Sequence, residues 1–212
     1  MKTHLVNKNS DRLLIFFTGW GCDEYEFEHL ESTCDVLLLY DYTDLSLKFD
    51  FSKYNTYNLI AFSAGVFAAS VVNFDFEINK KIAISGNPYL FDERLGLAEN
   101  IQKALCNITE KNADDFARNY LIKTDEEWKI FHHSRRTIES CRTEFDRLKI
   151  LYNENKEKIK DKFDIAIMGE EDPIFNVTVQ KEFYGERLNL IKNARHNLFF
   201  RIKNYEEILI PD

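Results

Sequence analysis

Five short, unbroken apolar runs constrain this chain more than any other feature. Residues 13–17, 36–40, 59–62, 82–84 and 165–168 lack the apolar/polar alternation of a half-solvated strand, so each reads as a strand buried on both faces of a parallel sheet. Residues 188–191 form a weaker sixth run. Several runs end in small or turn-forming residues, at Thr18-Gly19, Ser63-Ala64-Gly65, Ser85-Gly86-Asn87 and Gly169. That rhythm predicts an α/β fold with a mostly parallel sheet and functional loops at the carboxyl ends of its strands.

The links between the early strands are short, and residues 44–57 hold few strong helix formers, so a long loop is expected there in place of a full crossover helix. Flanking helices are therefore reduced. Residues 97–162 carry no strand signature but are rich in Glu, Lys, Arg, Asn and Leu, with apolar residues three and four apart. Ile138, Cys141, Phe145, Leu148, Leu151 and Tyr152 would share one helix face. The chain of 212 residues fits one domain, with a core of residues 1–90 and 160–212 and a helical lid insertion at about 91–159.

Composition excludes several function classes. A net charge of −8 argues against general binding to nucleic-acid phosphates. No apolar stretch is long enough for a signal peptide or a membrane span, which leads to the expectation of a cytoplasmic protein without a membrane partner. Cys22, Cys34, Cys106 and Cys141 form no C-x-x-C pair and read as free thiols, and no metal or other cofactor is expected. Cys22 adjoins a glycine-rich loop, but no base stands beside it in sequence. Between residues 128 and 149 Lys and Arg outnumber Asp and Glu, a stretch to which an acidic partner could be steered.

Four segments carry candidate chemistry. In Leu59-Ile60-Ala61-Phe62-Ser63-Ala64-Gly65-Val66 an apolar strand turns at a serine into a small-residue helix, the setting of a nucleophile elbow, whose neighbours two before and two after must be small. An ordinary helix N-cap serine reads the same way. Phe16-Phe17-Thr18-Gly19-Trp20-Gly21 follows a strand with a loop able to aim amides at an oxyanion; the Trp20 and Ala64 N–H groups are the donors expected. The fifth apolar run leads into Gly169-Glu170-Glu171-Asp172-Pro173, where Asp172 is the preferred acid and Glu170 and Glu171 are rivals, as are Asp41 and Asp44 after the second run. His196 follows the last strand. Ser63, Asp172 and His196 run in the chain order of one class of serine hydrolases, in which imidazole activates the hydroxyl and carboxylate orients the imidazole.

With Tyr40-Asp41-Tyr42-Thr43-Asp44-Leu45, Ser85-Gly86-Asn87-Pro88, Asp172-Pro173-Ile174-Phe175 and Arg195-His196 added to these segments, the chain resembles the pimeloyl-[acyl-carrier protein] methyl ester esterases of the BioG type, small α/β-hydrolases of biotin synthesis. The resemblance spans nearly the whole sequence, departing at Ala61, where a glycine is usual. It implies hydrolysis of the methyl ester on pimeloyl-acyl carrier protein, with Ser63, Asp172 and His196 as triad and Trp20 and Ala64 as oxyanion hole. It further implies an acyl channel drawn from Phe62, Tyr89, Phe91, Phe116 and Phe131. Arg135, Arg136, Arg142 and Arg147 would face the acidic carrier protein, and a monomer is the expected state.

Overall fold

The structure, a computed structural model, describes residues 1–209. Seven strands form one sheet in the order β1-β3-β2-β4-β5-β6-β7, comprising β1 Lys2–Val6, β2 Arg12–Phe17, β3 Asp35–Tyr40, β4 Thr56–Phe62, β5 Lys80–Ile84, β6 Ile165–Gly169 and β7 Leu188–Ile191. All neighbours run parallel except β1, which pairs antiparallel with β3. The six apolar runs lie within β2 to β7. β1 escaped the sequence reading because it is an edge strand, with Lys2, Thr3 and His4 exposed, and carries no burial signal.

In β2 the residues Leu13, Ile15 and Phe17 enter one apolar core, and Leu14 and Phe16 enter another on the opposite face. None of the five is more than 1 % exposed, as a strand covered on both sides requires. No helix links β3 to β4. An aromatic cluster covers that part of the sheet instead, with Phe51 against Phe74 and Phe76 and with Tyr57 stacked on Phe76 at 3.8 Å.

α1, Ala64–Val71, follows β4 directly and is almost wholly buried. Between β5 and β6 the chain forms α2 Glu99–Cys106, α3 Ala113–Phe116, α4 Asp125–Ile130 and α5 Ile138–Asn155, with no strand among them. Thr124 and Glu127 form a capping box on α4, and Thr137 accepts the Ser140 N–H at the start of α5. α5 buries Cys141, Phe145, Leu148, Leu151 and Tyr152 of the face expected from spacing, together with Glu144, while Ile138 at its first turn is half-buried. α6, Val177–Tyr184, joins β6 to β7, and α7, Glu206–Leu209, ends the described chain. Among the described residues no helix is long and apolar enough to cross a membrane.

Candidate active site

The loops after β2, β4, β6 and β7 converge at the carboxyl edge of the sheet, and each arrives there for a local reason. After β4, Ser63 has φ 53° and ψ −121°, a conformation that L-residues rarely adopt and that costs about 1–3 kcal/mol. The turn is held by the Ser63 N–H donating to Ile84 O at 2.9 Å and the Val66 N–H donating to Ser63 O at 3.0 Å. A Cβ on Gly65 would lie 2.4 Å from both Phe17 O and Thr18 O, so only glycine lets α1 pass the end of β2. Ser63 makes no capping hydrogen bond to its helix. Its Oγ lies 2.9 Å from His196 Nε2 instead, which sets aside the N-cap reading.

His196 is 2 % exposed, and its Nδ1 lies 2.8 Å from Asp172 Oδ2. The other oxygen, Oδ1, accepts the N–H groups of Ile174 at 2.8 Å and Phe175 at 3.2 Å. An ionised Asp172 can only accept, so His196 carries its proton on Nδ1 and leaves Nε2 to accept from the Ser63 hydroxyl. Two main-chain hydrogen bonds join the acid and histidine loops, Glu170 N–H to Ile191 O and Glu171 N–H to Ala194 O, each 2.9 Å. Gly169 makes that approach possible, since a Cβ there would meet Arg195 O at 2.2 Å. Phe175 stacks on the imidazole, and Phe62 packs against it with a centroid separation of 5.2 Å.

The rival acids lie elsewhere. Glu170 and Glu171 are exposed, Glu171 paired with Lys123, while Asp41 faces Arg136 and Lys2 and Asp44 binds the N-terminal amine. Burial pushes the Cys22 thiol well above its ordinary range, with the neighbouring Glu26 adding to the effect, so this thiol is no ready nucleophile.

Gly19, Trp20, Ser63, Ala64 and His196 share the wall of one cavity of about 380 Å³. Among the described residues, neither the Trp20 nor the Ala64 N–H donates to a protein acceptor. The rest of the wall is largely apolar and comes mainly from the segment between β5 and β6, with Leu97, Leu105, Phe145 and Leu148 prominent. Of the aromatic residues expected there, Phe62, Phe116 and Phe131 line the cavity, but Tyr89 and Phe91 do not. Tyr89 packs edge-on against Phe183, and Phe91 sits behind Phe145, which takes the lining position itself. Phe145 and Leu148 were legible only as apolar positions of a helix face. Their aim into a cavity has no local signature.

The four arginines also separate. Arg135 and Arg142 are exposed, the first over the Tyr25 ring at 3.7 Å and the second donating to Ile108 O at the cavity wall. Arg147 is part-buried and donates to Thr43 O. Arg136 does not face solvent: its side chain is 5 % exposed and lies against Glu144 at 2.6 Å and Asp41 at 3.1 Å. Two buried carboxylates draw it inward, against the surface role expected from local charge.

The family model described as pimeloyl-ACP methyl esterase BioG matches residues 1–208. The chain belongs to the BioG family. Among solved structures, BioG from Haemophilus influenzae superposes with a TM-score of 0.82 at 27 % identity, over 97 % of this chain and 98 % of that one. A structure of a carboxylesterase from Nitrososphaera gargenis has a TM-score of 0.63 at 13 % identity, over 94 % of this chain and 88 % of that one. The fold of this BioG-family chain is thus the α/β-hydrolase fold, and the family is one of hydrolases. A Bacteroides fragilis protein named malonyl-[acyl-carrier protein] O-methyltransferase is 31 % identical over 188 residues; the match takes in 84 % of this chain and 38 % of that protein.

Proposed function

We propose that this protein is a serine esterase that hydrolyses the methyl ester of pimeloyl-acyl carrier protein, releasing methanol and the free acid on the carrier, in biotin synthesis. The observation that carries this reading is His196, which bridges Ser63 Oγ and Asp172 on the wall of a largely apolar cavity. Family membership narrows the substrate class, and the methyltransferase relative supports it, because an enzyme that forms a carrier-bound methyl ester calls for one that cleaves it.

In the reaction, Ser63 Oγ attacks the ester carbonyl carbon while His196 Nε2 takes the hydroxyl proton. Asp172 holds the imidazole ring and stabilises the imidazolium. Negative charge collects on the former carbonyl oxygen, which the Trp20 and Ala64 N–H groups receive. The tetrahedral intermediate collapses as His196 gives its proton to the departing methoxide, leaving an acyl group on Ser63 and methanol. Water then attacks the acyl-enzyme by the same route and restores Ser63. Residues 91–159 act as the lid whose inner face holds the acyl chain, and Arg135 and Arg142 are the cations offered to the acidic carrier.

Assays on the methyl ester and the thioester of the same carrier-bound acyl chain test the reading, with Ser63→Ala alongside. Methyl ester hydrolysis and fluorophosphonate labelling, both lost in Ser63→Ala, are expected. Cleavage of the thioester alone would make the protein a thioesterase, and an unlabelled, inactive wild-type protein would make it a binder of acyl groups without turnover.

A further inference from the structure

The Tyr40-Asp41-Tyr42 segment and Arg136 are both left without a part in the chemistry above, and they meet at one buried side chain. Glu144 on α5 is fully buried. Its Oε2 accepts the Gly21 N–H at 3.0 Å and a hydrogen bond from Arg136 Nη1 at 2.6 Å, and its Oε1 accepts the Tyr42 N–H at 2.8 Å. Asp41 adopts φ 57°, the left-handed region that Asp tolerates, at the turn that leads into Tyr42. Tyr42 Oη in turn lies 2.8 Å from Thr18 O, the carbonyl that opens the glycine-rich loop.

The same loop is held from α5 at a second point. Trp20 Nε1 donates to Cys141 O at 2.6 Å, so the residue carrying the proposed oxyanion donor is tied to α5 by its side chain and by the amide of its neighbour. Within the loop the contacts that close the turn are long, Cys22 N–H to Gly19 O at 3.4 Å and Thr18 Oγ1 donating to Gly19 O at 3.5 Å. Gly21 has φ 76°, which leaves this backbone open to conformations other residues avoid. Removing a fixed acceptor at Gly21 would therefore free the adjacent Gly19-Trp20 peptide to rotate. Burying a carboxylate is costly unless it is paired, and Arg136 supplies the pairing. Asp41, at 3.1 Å, and Lys2, 2.9 Å beyond it, extend the alternation of charge to the surface.

We propose that Glu144, held by Arg136, is a positioning residue that orients the Trp20 main-chain N–H toward the oxyanion, so that the seating of α5 governs turnover. The inference rests on the serine esterase reading and extends it from the triad to the segment between β5 and β6. Preorganised donors act mainly on the transition state, so the effect belongs in kcat and not in ground-state binding.

The test compares Glu144→Ala, Glu144→Gln and Arg136→Lys with the wild type on p-nitrophenyl butyrate and with an alkylboronic acid, whose tetrahedral serine adduct mimics the intermediate. Glu139→Gln, an exposed change on the same helix, is the control. In Glu144→Ala, kcat is expected to fall at least about tenfold, short of the 10²–10³ lost when a donor is removed outright, with KM within about twofold. Boronate affinity should fall in parallel with kcat, and Glu144→Gln, which keeps one acceptor oxygen, should lie between. Wild-type kcat in any folded Glu144 variant overturns the inference, as does an equal loss of affinity for the boronate and for an unreactive butyramide. If Glu144→Ala does not fold, the Gln and Lys variants decide by the same two ratios. Retention of turnover in Ser63→Ala would defeat the underlying reading, whereas a dead Ser63→Ala beside normal Glu144 variants defeats this inference alone.

Discussion

At Asp172 the division of labour between two oxygens is complete: Oδ1 takes two main-chain N–H groups and Oδ2 takes His196. Asp172→Asn keeps the shape and inverts the demand on Nδ1, favouring the wrong tautomer. We expect kcat to fall by about 10⁴, the size of the effect at another serine hydrolase's triad, while Glu171→Gln stays near wild type. Glu26, beside Cys22, makes a different prediction. Burial pushes its carboxyl up to about 8, with Asp23 adding to the effect against the Cys22 hydrogen bond. The folded protein thus keeps a proton that the unfolded chain releases near its ordinary value of 4.5. Stability should fall as pH rises from about 4.5 to about 8 and level off above that. Denaturant unfolding of Glu26→Gln across this window should show the slope removed; an unchanged slope would assign it to other groups.

Among the elements, α5 does the most varied work. One face supplies Phe145 and Leu148 to the cavity, and the same face holds Glu144 under the glycine-rich loop. An apolar enlargement at Leu148 should therefore act on substrate size and not on the triad. Leu148→Phe is expected to raise KM for a seven-carbon methyl ester about tenfold and to leave an acetate ester nearly unchanged, since a pocket misfit of this size is worth about 1–3 kcal/mol. Equal effects on both esters would place the acyl chain elsewhere. The helix face itself was readable from its spacing. Which of its residues would border empty space was not, because periodicity reports burial and cannot tell a neighbour's side chain from a cavity.

For the molecule as a whole, the positive stretch between residues 128 and 149 divides into an outer and an inner set. Charge reversal at Arg135 and Arg142 should raise KM for the carrier-bound ester far more than for a small soluble ester, with the difference fading at high salt. Reversal at Arg136 should instead damage both substrates alike and lower the stability, since it would leave Glu144 and Asp41 facing a third buried negative charge. A carrier-specific effect at Arg136 would contradict its placement in the buried network.

The α/β class, six of the seven strands, the absence of a helix before β4 and the helical stretch before β6 followed from the sequence alone, because burial on both faces and local turn chemistry are written in contiguous residues. Ser63 and Asp172 were legible as candidates for the same reason, each following such a strand, and His196 through its place after the weaker last run. Tertiary structure alone decided that Asp172 and not Asp41 or Glu171 reaches the imidazole, that Arg136 points inward, and that Glu144 grips a loop 123 residues away in sequence. Those outcomes depend on which distant surfaces meet and which charges are then cut off from water, and neither is encoded in any short window of the chain.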